Sequence, residues 1–364
     1  MLANKMNDAT NLIESCKFDK VARPADHLGI CSIISTNFMD FESRKSKSKE
    51  LVKALENGNY YIIGLQGLGG TGKTTLVTQA GKQVEESKAF HKVIFTVVSN
   101  PPNIKKIQQN IAMQLDLPLE EGKEEKHSED LWKRIVNIKG KILIILDDVW
   151  EKLDLRGIGI PNGLDQKNCC VLITTRDTKV CEVMRCHLII ALQTLNEVDA
   201  LNLFKENAGL ESDNSSKLGV AREIVKECGG LPLAIVTVAT TLKGWNLRDW
   251  KNALKTLQNS GPLQNIHQDL VKVYRSMELS YNYLGVEAQK LLLLCSLFPE
   301  DYEIPISLLS KLGVGLGLFG EADNYSSARR KVIPVKNDLI KSSLLLEPKE
   351  SCVKTHDLVR EVAL

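Results

Sequence analysis

The sequence has 364 residues, which leaves room for roughly two to three domains of ordinary size. Hydrophobic residues make up 43% of it and charged residues 25%, which is typical of a globular protein and excludes a disordered or low-complexity chain. The net charge of +2 excludes a protein that binds nucleic acid or an acidic membrane through its overall charge.

The nine cysteines are odd in number, and no two of them have the C-x-x-C spacing of a zinc or redox motif. Several lie in apolar runs, which favours buried, reduced thiols in an intracellular protein. The N-terminus lacks the apolar block of a signal peptide, and the longest strongly apolar stretch, residues 291–298, is too short to span a bilayer. We therefore expect a cytoplasmic protein without a zinc site or a transmembrane segment.

Residues 1–45 have weak periodicity and are predicted to form a linker or arm. A basic run lies at positions 44, 45, 47, 49 and 53 and leads into an amphipathic stretch at 51–55. Charge runs of this kind most often cover the solvated face of a helix. We interpret the run in that way and not as a binding patch.

Residues 46–192 alternate between short apolar runs and helical periodicity. The apolar runs lie at 60–65, 92–98, 142–146, 171–173 and 187–191. They are continuous, which is typical of strands buried on both faces of a parallel sheet. Helical spacing between them predicts crossover helices and therefore an α/β domain.

Residues 193–285 carry helical patterns without strands and are predicted to form a small all-α domain. Thr194 and Glu197 have the spacing of a capping box in front of an apolar helical face. Gly229 and Gly230 interrupt the helical pattern. Pro232 then lies in the first turn of the next helix, where proline is tolerated.

Residues 286–364 follow the order of a winged-helix domain, with three amphipathic helices and then a hairpin. The helices are indicated by apolar positions at 288–295, 306–312 and 328–339, and the hairpin turn is predicted at 347–351. The last residues, from about 358, are typical of the start of another helix. We therefore expect a winged helix that is truncated at its end, in a piece of a longer protein.

A phosphate-binding loop is predicted at residues 67–74, which fit the motif G-x-x-x-x-G-K-[ST]. The loop follows an apolar strand and opens a helix, so that backbone N–H groups and the helix N-terminus can surround phosphates. We expect Lys73 to reach the β- and γ-phosphates, Thr74 to bind Mg²⁺ and Thr75 to reach the α-phosphate. The alternative, a chance glycine turn, is disfavoured by this context.

Asp147 and Asp148 follow an apolar strand, at the edge of the sheet where Mg²⁺ would lie. We expect Asp147 to hold the ion and Asp148 to polarise the attacking water. Many efficient P-loop ATPases carry a glutamate at the second position, and the shorter Asp148 predicts slow turnover. By itself, an apolar strand that ends in two aspartates is more typical of a plain turn. Because a phosphate loop is also present, we favour a metal and catalytic site.

Arg176 ends the next apolar strand. A strand-end arginine near the phosphates can detect the γ-phosphate through a bidentate contact. The alternative is a surface ion pair with Asp177, which would contribute little.

Six motifs then occur in order: GLGGTGKTT at 67–75, LDDVW at 146–150, ITTR at 173–176, GLPLA at 230–234, CSLFPEDY at 295–302 and THDLV at 355–359. Together they resemble the NB-ARC region of plant nucleotide-binding, leucine-rich-repeat disease-resistance proteins of the coiled-coil branch. The resemblance covers about residues 38–364. It implies a P-loop NTPase domain of the STAND or AAA-like type, followed by a small helical domain and a winged helix.

The resemblance also implies a function as a switch, with ADP holding the three domains together and ATP exchange triggering opening and oligomerisation in defence. It further implies weak ATPase activity, ADP, ATP and Mg²⁺ as ligands, and an unknown host or pathogen protein as partner. The matching positions are the phosphate loop, the metal and catalytic aspartates, the γ-phosphate arginine, the proline on the adenine and the histidine at the ADP β-phosphate. They are Gly67, Gly69, Gly70, Thr71, Gly72, Lys73, Thr74, Thr75, Asp147, Asp148, Arg176, Pro232 and His356, with Asp357 beside the histidine.

Two positions depart from the family pattern. Thr355 replaces the usual methionine, and a polar residue in that apolar position is expected to loosen the winged-helix lock. Phe95 replaces a common tryptophan, which we expect to be neutral.

Three alternatives to a switch remain. A working AAA+ motor would need a catalytic glutamate after Asp147, which is absent. A DNA-binding regulator is disfavoured, because residues 286–364 hold ten Lys or Arg and eleven Asp or Glu, although 329–331 is a local basic cluster. The third alternative is a truncated modulator or decoy of full-length receptors, which the sequence does not separate from the switch.

Overall fold

The computed structural model describes residues 41–120, 122–161, 168–210, 215–259, 268–300, 302–318, 325–349 and 351–363. Most of the predicted N-terminal arm, residues 1–40, lies outside these ranges. Residue 364, the last of the sequence, also lies outside them.

A parallel five-stranded sheet forms the first part of the described chain. Its strands have the spatial order β2-β3-β4-β1-β5. Their bounds are β1 Ile62–Gln66, β2 Lys92–Val97, β3 Ile142–Asp147, β4 Cys169–Thr175 and β5 Leu188–Ala191. All five predicted strands are confirmed, and the continuous apolar runs are buried as a parallel sheet requires. Strand β4 lies between β1 and β3, so the phosphate loop and the acidic pair are separated by one strand.

Six helices accompany this sheet. They are α1 Glu42–Asn57, α2 Lys73–Glu86, α3 Ile104–Gln114, α4 Glu124–Val136, α5 Leu155–Ile158 and α6 Thr178–Val183. Helix α1 begins at Glu42, inside the segment predicted to be an arm, because its apolar residues Leu51, Val52 and Leu55 pack into the core on one face of the sheet. A second core, which includes Ile94, covers the other face.

Within its described residues, the helical part has five helices: α7 Glu197–Ala208, α8 Ser215–Glu227, α9 Pro232–Thr241, α10 Leu247–Asn259 and α11 Gln268–Asn282. The predicted capping box at Thr194 is wrong. Helix α7 is capped by Asn196, whose side-chain oxygen accepts a hydrogen bond of 2.8 Å from the Asp199 amide. The prediction of a first-turn proline is confirmed, because Pro232 begins α9.

The last part has winged-helix order, as predicted. It comprises α12 Val286–Ser296, β6 Ile304–Pro305, α13 Ile306–Gly315, α14 Tyr325–Lys341, β7 Leu345–Lys349, β8 Cys352–Thr355 and α15 Asp357–Ala363. The predicted turn is displaced, because Glu347–Lys349 belong to β7 and not to the turn. The antiparallel sheet has the order β6-β8-β7, so β7 is an edge strand, and an edge strand tolerates Pro348.

One apolar core joins the helical part to the winged helix. It runs from Leu195 through Phe204 and Trp250 to Leu309 and Val359. Leu68, of the phosphate loop, packs against the same core. Across the described part of the chain, no helix combines the length and the apolarity needed to cross a membrane.

Candidate nucleotide site

The phosphate loop joins β1 to the first turn of α2. Gly70 and Gly72 have φ angles of 74° and 90°, which is left-handed backbone that favours glycine. The Thr71 hydroxyl donates a 2.8 Å hydrogen bond to the Leu68 carbonyl and fixes the loop internally. The amides that open α2 therefore stand at the end of a rigid loop, which is an arrangement suited to anions.

Lys73 is buried inside the loop. Its ammonium group donates hydrogen bonds to the carbonyl oxygens of Gly67 and Leu68, at 2.8 Å and 3.0 Å. Burial lowers the pKa of Lys73 to about 8, although the negative charge of Asp148 opposes that shift. A phosphate next to this ammonium group would favour the charged form.

Asp147 ends β3 as a buried carboxylate with both oxygens hydrogen-bonded. Thr74 donates to Oδ2 at 2.7 Å, and Thr174 donates to Oδ1 at 2.6 Å. Burial raises the pKa of Asp147, and the two hydroxyl donors oppose that shift. Because β4 lies between β1 and β3, Thr174 reaches the carboxylate from the strand between them.

Thr74 and Asp147 therefore place a hydroxyl and a carboxylate side by side at the end of the phosphate loop. Mg²⁺ prefers such hard oxygen ligands and usually keeps several waters or phosphate oxygens. Within the described residues, no group of three or more His, Cys, Asp or Glu could hold a metal ion. The pair fits an ion that would draw its remaining ligands from phosphate and water.

Asp148 has a φ of 57°, so the backbone turns sharply after β3. Its Oδ2 atom accepts a 3.0 Å hydrogen bond from the Trp150 indole and lies 3.4 Å from Nη2 of Arg176. The Arg176 guanidinium also stacks on the Trp150 ring, 4.3 Å from its centroid. Arg176 therefore faces Asp148 and Trp150, and the alternative of a surface ion pair with Asp177 is not favoured.

Two carboxylates of helix α15 also face Arg176. Asp357 Oδ2 lies 3.7 Å from Nη2, and Glu361 Oε2 lies 3.7 Å from Nη1. Tyr274, on α11, is hydrogen-bonded to Glu361, and burial together with this contact raises the pKa of the tyrosine. Arg176 thus connects the α/β part, the helical part and the winged helix.

The start of α15 also packs directly on the phosphate loop. A side chain at Gly69 would begin 3.0 Å from Cδ1 of Leu358, so glycine is what allows this contact. His356 precedes the helix and accepts a 3.2 Å hydrogen bond from the Leu358 amide through Nδ1, which assigns the ring hydrogen to Nε2. Burial, and next the charge of Arg176, lowers the pKa of His356 to about 4, so the ring is neutral at pH 7.

Helix α9 approaches the loop from the helical part. The Leu233 amide donates a 3.3 Å hydrogen bond to the Gly70 carbonyl, and the Leu233 side chain lies 3.0 Å from where a side chain at Gly70 would begin. Pro232 precedes this contact as the first residue of α9. The structure thus brings Pro232 to the side of the phosphate loop.

Helix α1 reaches the loop as well. Arg44 donates a 3.0 Å hydrogen bond to the Thr71 carbonyl, and the Ser43 amide donates a 2.9 Å bond to Asp199 of α7. Burial lowers the pKa of Arg44, and Asp199 opposes that shift. The interpretation of the basic run as a solvated face is therefore wrong for Arg44, while Lys49 and Lys53 are exposed as expected.

Comparison with known proteins shows which proteins this chain resembles. The model of the NB-ARC domain matches residues 44–214. Disease resistance protein At4g27190 of Arabidopsis thaliana is 36% identical over 312 residues, which cover 83% of this chain and 31% of that protein. Probable disease resistance protein At1g61190 is 33% identical over 368 residues, which cover 99% of this chain and 38% of that protein. Residues 44–214 of this chain are therefore similar to an NB-ARC domain.

The resemblance to plant disease resistance proteins is thereby confirmed. The chain spans about a third of the length of these two relatives. A signal transduction ATPase with numerous domains (STAND) from Pyrococcus horikoshii, PH0952, has a tetratricopeptide repeat sensor and a similar fold. Its TM-score is 0.55 at 18% identity, over 93% of this chain and 44% of that chain. The predicted P-loop NTPase fold of the STAND type is confirmed.

Several residues of this site were not predicted to belong to it. They are Arg44, Trp150, Thr174, Leu233, Tyr274, Leu358 and Glu361. Trp150, Thr174, Leu233 and Leu358 lie inside quoted motifs, so their position beside predicted site residues was the available signal. Glu361 follows Asp357 by one helical turn and could have been found from that spacing. Tyr274 has no comparable signal, because only the packing of separate parts brings it to the site.

Proposed function

We propose that this chain is the ADP/ATP switch of a plant intracellular immune receptor. The observation that carries the proposal is the contact of α15 with the nucleotide machinery, through Leu358 on Gly69 and through Asp357 and Glu361 at Arg176. A winged helix held against the phosphate loop is what a resting, ADP-bound switch requires.

Each site residue has a role in this proposal. Lys73 and the loop amides bind the phosphates, while Thr74 and Asp147 hold Mg²⁺. Pro232 packs on the adenine. His356, neutral and with its hydrogen on Nε2, donates to the β-phosphate of ADP.

Arg176 is the point at which ATP would act. In the resting state its charge is balanced by Asp148, Asp357 and Glu361. The γ-phosphate would compete with these carboxylates for the guanidinium, because phosphate is an equally good bidentate partner. Loss of the two α15 carboxylates from Arg176 would then free the winged helix.

Hydrolysis would reset the switch slowly. Asp148 would polarise the attacking water, with Lys73 and Arg176 stabilising the transferred phosphoryl group. Oδ2 of Asp148 already accepts from Trp150 and faces Arg176, so the attacking water would have to compete with these two partners for this oxygen. We therefore propose a weak ATPase that serves as a switch and not as a metabolic enzyme.

The wider context belongs to the same proposal. We divide the chain into an arm at 1–45, a nucleotide-binding domain at 46–192, a helical domain at 193–285 and a winged-helix domain at 286–364. On activation, copies of the receptor would oligomerise in the cytoplasm. An unknown host or pathogen protein would start the process.

The decisive experiment identifies the nucleotide that is released when the purified chain is denatured. We expect near-stoichiometric ADP from the wild type and none from Lys73→Ala. Lys49→Ala, which removes an exposed lysine of α1, should retain ADP. Recovery of no nucleotide from a folded wild-type chain would contradict the switch, and recovery of ATP would contradict the ADP-bound resting state.

A further inference from the structure

Two cysteines lie together against β1, away from the phosphate loop. The Cys181 and Cys186 sulfur atoms are 2.6 Å and 3.1 Å from the point where a side chain at Gly64 would begin. Glycine at this position of the strand therefore leaves the space that both sulfur atoms fill. Cys181 is fully buried, whereas Cys186 is only half-buried.

The backbone holds the two thiols in this arrangement. The Cys186 amide donates a 2.9 Å hydrogen bond to the Cys181 carbonyl after the end of α6. Arg185 turns the chain with a φ of 55°, and the next residue, His187, is fixed because its Nδ1 accepts a 3.2 Å bond from the Ile62 amide. The approach of the two sulfur atoms is therefore a property of a fixed turn.

The two thiols are hydrogen-bonded to each other. The bond from the Cys186 thiol lowers the pKa of Cys181, and the same bond raises the pKa of Cys186. The pair therefore loses its first proton more easily than an isolated buried thiol. Cys186 is the more solvent-exposed residue of the two.

We propose that Cys181 and Cys186 form a modification site at which a hydroperoxide produces an intramolecular disulfide. The first thiolate of the pair attacks the peroxide, so that an S–O bond forms and the O–O bond breaks, and the departing oxygen takes up a proton and leaves as alcohol or water. The other cysteine then attacks the resulting sulfenic sulfur. The S–S bond forms, the S–O bond breaks, and the hydroxyl leaves as water with the proton of the second thiol. The two thiols supply the two electrons that reduce the peroxide.

The other adjacent pair in the described chain provides an internal contrast. Cys169 and Cys170 follow each other on β4, where successive side chains point to opposite faces, and they lie in different apolar cores. Burial raises the pKa of each to about 12. Neither ionises readily nor faces the other, so this pair should remain reduced.

The cysteine pair lies against the strand that supports the phosphate loop. Gly64 lies on β1, the strand that leads directly into the phosphate loop at Gly67. A disulfide brings its sulfur atoms to about 2.05 Å, much closer than two hydrogen-bonded thiols. Oxidation therefore changes the packing on the strand that supports the loop.

Peptide mapping tests the proposal sharply, because trypsin cuts after Arg185, between the two cysteines. The reduced full chain is exposed to hydrogen peroxide in steps, alkylated without reduction and digested. We expect a linked species that joins the peptide of Cys181 to the peptide of Cys186 and has lost two hydrogens. Cys169 and Cys170 should be recovered as alkylated thiols after unfolding.

Cys352 provides the accessibility reference, because it is half-buried like Cys186 but has no neighbouring thiol among the described cysteines. The linked species should appear at peroxide doses that leave Cys352 largely unoxidised. Cys186→Ser should abolish the species and leave Cys181 alkylatable. Failure of the wild type to form it before Cys352 is oxidised would overturn the proposal. So would sulfinic acid at Cys186 without any linkage.

Discussion

Thr355 is a polar residue in an apolar position of the winged helix. It is buried, and within the described part of the chain its hydroxyl has no hydrogen-bond partner. Burying an unpaired hydroxyl costs about 1–3 kcal/mol. The unpaired hydroxyl lies one residue before His356. This supports the prediction that threonine at this position weakens the closed arrangement of the winged helix.

We therefore expect Thr355→Val, which keeps the side-chain shape, to raise the free energy of unfolding by about 1 kcal/mol. Denaturant unfolding measures the change. Thr237→Val is the matched control, because the equally buried Thr237 hydroxyl donates a 2.8 Å bond to the Leu233 carbonyl. The control should be destabilised or unchanged. A loss of stability in Thr355→Val would show that its hydroxyl has a partner.

His356 makes stability depend on pH in a defined window. Its pKa is about 4 in the folded chain, against an unperturbed value of about 6.5. Between these two values the unfolded chain binds a proton that the folded chain does not, so stability falls as the pH falls through the window. Below about pH 4 both states are protonated and this contribution stops changing.

From pH 7 to pH 5 we expect this histidine to remove about 2 kcal/mol of stability. His356→Gln should lose that dependence, and the difference between the two curves isolates it from other titrating groups. His91→Gln, at an exposed position, should follow the wild-type curve. Parallel curves for wild type and His356→Gln would show that the ring titrates normally in the folded chain.

At the scale of elements, α15 is where the winged helix and the nucleotide machinery meet. The helix presents Asp357 and Glu361 to Arg176 and places Leu358 on the phosphate loop. Glu361 is partly solvent-exposed, so its ion pair contributes modestly. We therefore expect the loss of this ion pair to change the rate of ADP release and to leave the stability of the fold nearly unchanged.

We expect Glu361→Gln to accelerate the release of bound ADP by about 2- to 5-fold, because one carboxylate that holds α15 to Arg176 is lost. Displacement of a fluorescent ADP analogue measures this rate. Glu287→Gln, at an exposed position at the start of α12, should release the analogue at the wild-type rate. Equal rates for Glu361→Gln and the wild type would show that α15 is held by Asp357 and Leu358 alone.

At the scale of the whole molecule, the apolar cores of the described chain do not correspond one to one with the predicted domains. The helical part and the winged helix share one apolar core, in which Leu309 and Phe204 are both fully buried. The α/β part has its own two cores on the faces of the sheet. We therefore expect residues 193–363 to unfold as one cooperative unit.

Leu309→Ala should remove about 2–5 kcal/mol from that unit. Hydrogen exchange should show the same loss of protection in α9 as in α14, while β1 and β3 change little. If the loss were confined to α12–α14, the winged helix would be an independent domain.

The order of elements was largely determined by local sequence. Short continuous apolar runs predicted the five strands, and the glycine-rich motif after β1 predicted the phosphate loop. Both features were predictable because each depends on residues that are close together along the chain. The hairpin turn and the cap of α7 were misplaced, because Pro348 is tolerated only on an edge strand and Asn196 competes with Thr194 for the cap.

The sequence by itself determined the fold class, the resemblance to NB-ARC proteins and the residue types of the phosphate loop. Only the tertiary structure decided which residues from distant parts meet there: Thr174 between Asp147 and Asp148, Arg44 on the loop, Glu361 at Arg176, and Cys186 beside Cys181 over Gly64. These contacts depend on strand order and on the packing of separate helices. Neither is encoded in periodicity or spacing, because each is set by the burial of apolar surface across the whole chain.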